Sequence, residues 1–361
     1  MASTDMGEDS NSISVSQEQL ERFIASALRR AGLPEGDASA VAGLMAQADL
    51  QGSDGHGVIR LPQYIRRIRA GGINVRPDIR VVADMPAMAI VDGDNGMGHL
   101  VVSRATEIAI GKARTQGVAW VGTRRSNHAG PASLYSAMPL RHEMIGIYFA
   151  VGNANHLPPW GGTEMLLSTN PISASVPAGE EPAVVLDMAT TVAAYGKVKA
   201  KAKRGEMMPE GWMIDREGKP LLDPTRSDDG FLMPIGGHKG YGLALIVGLL
   251  AGTLNGAAMG REVVDFNKDH VTATNTGQAI LVLNLAAFGP VQAFKGAVDR
   301  LVEDLRGSAR MPGTDRIWMP GEQSHARRRR YRETGIPVSR GVAAELDQLA
   351  RELEIPPLAA C

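Results

Sequence analysis

Short apolar runs rich in β-branched residues alternate with amphipathic helical segments along this chain of 361 residues. A strand is predicted at 87–93, a helix at 101–114 and a second strand at 118–121. Strand–helix–strand alternation is typical of an α/β layer. Three more apolar runs are predicted to be central strands, at 144–151, 183–186 and 280–285. The pattern therefore predicts the α/β fold class.

Both ends of the chain are predicted to be helical. Ser16, with Gln19 three residues later, forms a capping-box pattern at the start of a helix, and a last helix is predicted at 339–354. Residues 1–14 are polar and are predicted to be disordered. Because no long Pro/Ser linker and no internal repeat divides the chain, we expect one domain to be inserted into another. The expected bounds are 1–124 with 290–361 for one domain and 125–289 for the other.

The segment 240–254 is apolar around its whole circumference, which indicates a helix in the interior or at a large subunit interface. Its longest apolar stretch is about 12 residues, short of the ~20 needed to span a bilayer. The formal net charge is −1, so neither nucleic acid nor a membrane is an expected partner. Cys361 is the single cysteine, which fits a reducing compartment and predicts a cytoplasmic protein.

Familiar cofactor, metal and hydrolase motifs do not occur at their usual spacing. The glycines of 93–98 stand in a different order from G-x-G-x-x-G, and the glycine-rich segment 236–242 lacks the Lys-Ser/Thr ending of a P-loop. No His-Glu-x-x-His pattern or cysteine cluster occurs, so no metal site is expected. The Gly-x-Ser-x-Gly pattern of α/β-hydrolases is also absent.

His56 lies in a glycine-punctuated turn between two predicted helices, and Arg60 follows four residues later. A histidine exchanges protons near neutral pH. An arginine binds a carboxylate through two parallel hydrogen bonds. The pair therefore fits reduction of a 2-oxo acid, although the spacing alone fits a helix-capping histidine and a surface arginine as well.

Other polar segments follow predicted strands or open helices. The segment 126–131 follows the strand at 118–121, where α/β folds place ligand contacts. Asp187 follows the run 183–186 and could orient an imidazole or cap a helix. Lys239 lies in the glycine-rich segment before an apolar helix, where an anion such as a pyrophosphate fits, but where glycines also permit close helix packing.

Taken together, these segments resemble the type-2 malate/L-lactate dehydrogenase family from about Leu20 to about Pro337. The matching motifs, in chain order, are ADL (48–50), DGHGVIRLP (54–62), VDGDNG (91–96), SNH (126–128), PWGG (159–162), TNP (169–171), DMAT (187–190), GGHKGYGL (236–243) and PGE (320–322).

The resemblance implies a non-Rossmann α/β fold, with a mixed sheet flanked by helices and a discontinuous helical domain formed by the two chain ends. Residues 125–289 would bind NAD or NADP, and the remaining residues would bind the substrate and form a homodimer. The implied reaction is hydride transfer between the cofactor and C2 of a small 2-oxo or 2-hydroxy acid.

The resemblance also implies roles for single residues. His56 would donate the proton in reduction and accept it in oxidation, and Asp187 would orient it. Arg60 would hold the substrate carboxylate, and Thr169 would lie near the substrate. In some members the histidine that matches His128 accepts the proton, so His128 is a second catalytic candidate. The implied cofactor-binding residues are His128, Ala129, Gly130, Asp187, Met188, Ala189, His238, Lys239, Gly240, Asp315 and Arg316.

The chain departs from the family pattern at a few positions. Gly55 stands where members usually have a serine, so a Ser–His–Asp relay would need Asp54, Ser53 or a water instead, or would be unnecessary. Arg125 and the segment 155–157 are further departures, which fit an atypical substrate. Two other functions stay open: a cyclic imino-acid (Δ1-piperideine- or Δ1-pyrroline-2-carboxylate) reductase, and a catalytically impaired cofactor-binding homologue.

Overall fold

The computed structural model describes residues 12–361, except for the side chains at positions 54, 203 and 204. The chain divides into two compact units. The first contains the residues before position 66 together with Ser324–Cys361, and the second contains Arg66–Gln323. The domain bounds expected from the sequence, at 124/125 and 289/290, stay a prediction.

The strand–helix–strand order predicted over 87–121 is confirmed, and helices and strands occur along the whole of the described chain. The helices are α1 (Gln17–Arg30), α2 (Glu35–Leu50), α3 (Leu61–Arg69), α4 (Gly98–Gln116), α5 (Ser133–Ser136), α6 (Tyr195–Arg204), α7 (His238–Ala251), α8 (Val291–Gly307), α9 (Glu322–Thr334) and α10 (Arg340–Leu353). The strands are β1 (Ser12–Val15), β2 (Arg80–Met85), β3 (Met88–Asp92), β4 (Val118–Ser126), β5 (Met144–Ala150), β6 (Ile172–Val176), β7 (Val184–Met188), β8 (Met213–Asp215), β9 (Gly230–Leu232), β10 (Thr276–Asn284) and β11 (Ile336–Ser339).

The first unit joins the two ends of the chain. β1 pairs with β11 in antiparallel register, with Ser12 opposite Ser339. The predicted disorder is therefore wrong for residues 12–14, because they pair with a strand more than 300 positions away that the local sequence does not reveal; residues 1–11 lie outside the described residues. The predicted capping box at Ser16 and Gln19 is confirmed, since each side chain accepts the other's backbone N–H, at 3.0 and 3.1 Å.

The second unit is built on a seven-stranded sheet in the order β2-β3-β4-β10-β5-β6-β7. β3 and β4 are parallel and are connected through α4, and the other neighbouring strands are antiparallel. The mixed α/β fold expected from the sequence is therefore confirmed. β2 and β6 were not predicted from apolar runs, because β2 is exposed along its whole length and two serines interrupt the apolar residues of β6.

The apolar helix α7 begins at His238, just after two glycines with left-handed backbone, Gly236 (φ +57°) and Gly237 (φ +66°). Ala244, Val247 and Ala251 are buried in its inner face. Its outer face is uncovered in the single chain, with Ile246 53% and Leu249 40% exposed. Among the described residues, no helix combines the length and apolarity that crossing a membrane requires.

Candidate active site

The turn between α2 and α3 in the first unit carries His56 and Arg60. Two short 3-10 turns shape it, in which the backbone N–H of His56 donates to Ser53 at 2.8 Å and that of Arg60 donates to Gly57 at 3.0 Å. The Arg60 Nε donates to the Gly55 carbonyl at 2.9 Å. The two predicted functional side chains therefore belong to one rigidly hydrogen-bonded turn.

Asp49, near the end of α2, holds this turn in place through a side-chain hydrogen bond. It is 5% exposed, and its Oδ2 accepts the backbone N–H of Val58 at 2.7 Å. A Cβ on Gly57 would lie 2.0 Å from Asp49 Oδ1, so a side chain has no room there. A Cβ on Gly55 would have no atom within 4 Å. The two glycines beside His56 thus differ: Gly57 is required by the close approach of Asp49, whereas a serine would fit at Gly55.

The electrostatics of the turn favour a neutral imidazole. Burial, and to a smaller extent the positive charge of Arg60, lower the pKa of His56 to about 4. Burial lowers the pKa of Arg60 from 12.5, and Tyr64 opposes this effect. An arginine guanidinium has so high a pKa that it stays charged at neutral pH all the same. A neutral histidine beside an arginine can accept a proton from a substrate that the arginine holds.

We expect His56 to stay neutral across the physiological range and to gain a proton only as the pH falls towards about 4. A lowered pKa means that the folded protein favours the unprotonated form, so the base required for oxidation of a hydroxyl is present well below pH 6.5, the ordinary value. An NMR titration of the imidazole C–H signals measures this pKa directly, and the signal that disappears in His56→Asn identifies the residue. A midpoint near 6.5 would contradict the prediction.

In the second unit, Asp187 lies near the end of β7. Its Oδ2 accepts the backbone N–H of Ser133, the first residue of α5, at 2.8 Å. The Asp187 side chain is exposed to solvent on one side, and protein surrounds the rest of it. This burial raises the pKa of the carboxyl, and the hydrogen bonds from Ser133 oppose the increase. The buried phenol of Tyr148 lies close enough for the Asp187 charge to contribute to its raised pKa, after burial itself.

Hydrogen bonds to Thr190, just after Asp187, bring two more segments to the same end of the sheet. The backbone N–H and the hydroxyl of Thr190 both donate to the Thr169 carbonyl at 2.9 Å. The Thr190 carbonyl accepts the N–H of Ile235 at 3.0 Å, just before the glycines that open α7. Thr169, Asp187 and the start of α7 therefore converge within this unit, as the sequence motifs suggested.

Trp160, whose motif was matched in the sequence but given no role there, lies against the predicted cofactor-binding segment at the start of α7. Its ring lies 3.1 Å from where a Cβ of Gly237 would stand, and it meets the His238 ring edge-on at 6.2 Å between centroids. The indole is 53% exposed beside His238 and Lys239. Gly240 is buried, and a Cβ there would lie 2.0 Å from the Ile235 carbonyl, so close packing explains this glycine.

The segment that carries His128 leads into α5. The Gly130 N–H donates to His128 Nδ1 at 3.4 Å, and Gly130 has left-handed backbone (φ +78°). Ala129 is buried, and its carbonyl accepts the Tyr135 hydroxyl. Asn127 is also buried and binds the backbone of Asn95 and Gly96, so its role is to hold the loop.

A cavity of about 540 Å³ lies at the C-terminal end of α8 and is lined in part by Asp315 and Arg316. The Arg306 guanidinium binds both oxygens of Glu181, at 2.9 and 3.0 Å. Arg316 is ion-paired with Glu322 and lies 4.3 Å from the centroid of the Trp318 ring. Basic groups and an exposed indole thus surround the cavity.

One strand connects this cavity to Asp187. The Val185 N–H donates to the Pro320 carbonyl at 3.0 Å, and Gly321 packs against Val185. Asp187 follows two residues later in β7. The segment that follows Asp315 and Arg316 therefore packs against β7, the edge strand that carries Asp187.

The family model described as malate/L-lactate dehydrogenase matches residues 15–347, which is most of the chain. The chain belongs to the malate/L-lactate dehydrogenase family. The resemblance on which the sequence predictions rest is therefore confirmed. Membership makes the protein an oxidoreductase, and the dehydrogenases of this family imply a nicotinamide cofactor.

Relatives from several organisms share nearly the whole length of this dehydrogenase-family chain. Malate dehydrogenase of Pyrococcus abyssi is 36% identical over 96% of this chain and 97% of its own. L-sulfolactate dehydrogenase of Methanocaldococcus jannaschii is 36% identical over 93% and 96%. The solved structure of malate dehydrogenase from Pyrococcus horikoshii superimposes with a TM-score of 0.89 at 33% identity, covering 97% of this chain and 99% of that one.

The departures from the family pattern have structural explanations in part. Arg125 has left-handed backbone (φ +48°) and is ion-paired with Asp92 at 3.1 Å and Asp94 at 2.8 Å. The His156 ring stacks on Tyr195 at 4.1 Å, and burial lowers the pKa of His156 to about 4. These family-atypical side chains are therefore engaged in contacts within the second unit.

Proposed function

We propose that this protein catalyses reversible hydride transfer between NAD(P)H and C2 of a small 2-oxo or 2-hydroxy acid. The observation that carries the proposal is the presence of His56 and Arg60 on one fixed turn in a chain of the malate/L-lactate dehydrogenase family. An imidazole and a guanidinium are the groups required to exchange the hydroxyl proton and to hold the carboxylate.

In oxidation, the neutral His56 takes the proton from the C2 hydroxyl while Arg60 holds the carboxylate. The bound nicotinamide supplies the hydride acceptor. Pairing of Arg60 with the carboxylate also weakens the charge repulsion that lowers the pKa of His56, which favours the protonated ring after transfer. In reduction the same proton returns to the substrate oxygen. The orientation of the histidine by Asp187, which the family resemblance implies, stays a prediction.

We propose that the exposed end of the sheet in the second unit holds the cofactor. Two observations support this. Asp187 accepts the backbone N–H of Ser133, and Thr190 just after it accepts the N–H of Ile235 before α7. The exposed Trp160 ring meets the His238 ring at the start of α7, where Lys239 follows. Such groups suit the phosphates and the flat ring of a dinucleotide. The predicted residues are His128–Gly130, Asp187–Ala189, His238–Gly240 and Asp315–Arg316, with Trp160 added from the structure.

The function is tested by mixing the protein with NADH or NADPH and a panel of oxaloacetate, pyruvate, 3-sulfopyruvate and Δ1-piperideine-2-carboxylate. We expect loss of the reduced-nicotinamide absorbance with at least one 2-oxo acid. Turnover of the cyclic imine alone would replace the proposal by the imino-acid reductase activity, which a relative from Pseudomonas putida, 30% identical, carries. Cofactor binding by calorimetry without any turnover would indicate an impaired homologue.

Arg60→Ala is expected to raise KM for the 2-oxo acid by about 10- to 100-fold, because a charge-assisted hydrogen bond contributes about 1.5–3 kcal/mol. The dissociation constant for NAD(P)H should change little. Steady-state kinetics and calorimetry measure the two quantities. Arg69→Ala, an exposed arginine on α3, is the matched control. Equal weakening of substrate and cofactor by Arg60→Ala would contradict the assignment.

We also propose that the protein is a homodimer. Ile246 and Leu249 are exposed on the apolar outer face of α7, and Leu254 in the turn that follows is 61% exposed. This surface supports an interface, because exposed apolar helix faces usually contact a partner. Light scattering after size-exclusion chromatography is expected to give twice the mass of one chain, and a monomer at micromolar concentration would overturn this proposal.

A further inference from the structure

Arg67 is a fully buried cation in the second unit (0% exposed). Its guanidinium donates to the backbone carbonyls of Gly72 at 3.1 Å, of Thr272 at 2.7 Å and of Asp269. Its Nε has no hydrogen-bond partner among the described residues. Burying a guanidinium is costly unless its environment compensates for the lost water. The three carbonyls supply part of that compensation and hold the guanidinium in one position.

The Arg67 guanidinium lies over the ring of Phe266, 5.2 Å from its centroid. Phe266 is itself buried (2% exposed), and its backbone N–H donates to the Asn153 carbonyl at 2.9 Å. A cation over an aromatic face is attracted by the negative charge density of the ring. The carbonyls fix Arg67, and Arg67 in turn fixes the plane of Phe266.

Phe266 then stacks on His128, with 5.4 Å between ring centroids and 29° between the planes. The edge of the imidazole is restrained separately, because the Gly130 N–H donates to Nδ1. An Nδ1 that accepts a hydrogen bond places the proton of a neutral imidazole on Nε2. The stack therefore holds the ring in the plane in which Nδ1 can accept the Gly130 N–H, and that hydrogen bond sets which nitrogen donates.

We infer that Phe266 and Arg67 are positioning residues for His128, which hold its imidazole as an Nε2–H donor towards the cofactor site. The inference rests on the proposed function, since it assumes that His128 faces bound NAD(P)H. It assigns His128 to orientation of the cofactor by hydrogen bonding, and it leaves exchange of the substrate proton to His56.

The test compares Phe266→Leu, which removes the ring but keeps an apolar side chain, with wild-type protein and with Phe149→Leu. Phe149 is the matched control, because it belongs to a similar stacked pair with Trp120, at 5.7 Å and 30°, that does not touch His128. Long-range ¹H–¹⁵N NMR spectra of the cofactor-free protein report the tautomer of His128, which is identified by the signals lost in His128→Asn. Fluorescence titration gives the dissociation constants of NADH and NADPH.

We expect the wild type and Phe149→Leu to show the Nε2–H tautomer, and Phe266→Leu to show averaged signals of both tautomers. The dissociation constant of the preferred cofactor should rise about three- to tenfold in Phe266→Leu, the range expected when one aromatic stacking contact is lost. Phe266→Tyr keeps the ring and should restore both properties. If Phe266→Leu does not fold, Arg67→Lys, which keeps the charge but not the planar fork, should show the same changes to a smaller extent.

An unchanged His128 tautomer and an unchanged cofactor affinity in a folded Phe266→Leu or Arg67→Lys variant would overturn the inference. The NMR measurement needs no cofactor, so it decides the positioning role even if the proposed function fails. Failure of the proposed function has a different signature, namely that wild-type protein binds neither NADH nor NADPH.

Discussion

His56→Ala is expected to lower kcat/KM for the 2-hydroxy acid by about 10²- to 10⁴-fold, the usual contribution of a positioned general acid–base. The loss should appear in kcat as well as in kcat/KM, because proton transfer belongs to the transition state of the chemical step. The affinity for NAD(P)H should stay within about twofold of the wild type, as for a substitution away from the binding contacts.

His128→Ala provides the matched comparison, because both histidines are candidates for the proton carrier. We expect this variant to weaken cofactor binding, since His128 lies beside the left-handed Gly130 and the start of α5. Stopped-flow measurement of hydride transfer at saturating cofactor separates binding from chemistry. If His128→Ala abolishes the chemical step at saturation while His56→Ala retains it, the roles of the two histidines are reversed.

Much of this site could be predicted from the sequence, because its motifs are local. His56 and Arg60 lie four residues apart on one turn, and a turn is specified by its own glycines. β4, β5 and β10 were predicted from apolar runs, because most of their residues are buried or half-buried. β7 was predicted from a similar run, although none of its residues is buried in the single chain. The glycine-rich segment before α7 likewise predicted that a helix begins there.

The contacts that support the site could not be predicted, because they join residues distant in sequence or depend on a single side chain. Asp49 reaches Val58 nine positions later, and Phe266 reaches His128 across 138 positions. Trp160 lies in the matching motif PWGG, but neither it nor Trp318 belongs to a periodic pattern, so the sequence did not show that their indoles are exposed. β2 was missed for a related reason, since an exposed edge strand carries no burial signal.

Gly57→Ala is expected to lower kcat/KM by about 10²-fold, the cost of moving catalytic groups by about 1 Å. The added Cβ would lie 2.0 Å from the Asp49 carboxylate, which is buried and holds the Val58 N–H. Neither group can yield without breaking that bond. The turn must therefore shift, and His56 and Arg60 shift with it.

Gly55→Ala is the control on the other side of His56. A Cβ there meets no atom within 4 Å, so kcat/KM should stay within about twofold of the wild type. Gly55→Ser restores the side chain usual in the family and should be equally well tolerated by the fold. Steady-state kinetics and thermal unfolding of the three variants measure these effects. Equal losses from alanine at both glycines would contradict this explanation. They would show that activity depends on glycine on both sides of His56, and that the close approach of Asp49 to Gly57 is not the cause.

A double-mutant cycle decides whether Asp49 is the cause of the Gly57 effect. Asp49→Ala removes the carboxylate that the new Cβ would strike, but it also leaves the Val58 N–H without this acceptor. Each single change should therefore impair activity. The double variant Asp49→Ala/Gly57→Ala should lose less activity than the product of the two single losses, because in that variant the new Cβ has no carboxylate to strike. Strictly multiplicative losses would mean that the contact with Asp49 is not the cause of the sensitivity at Gly57.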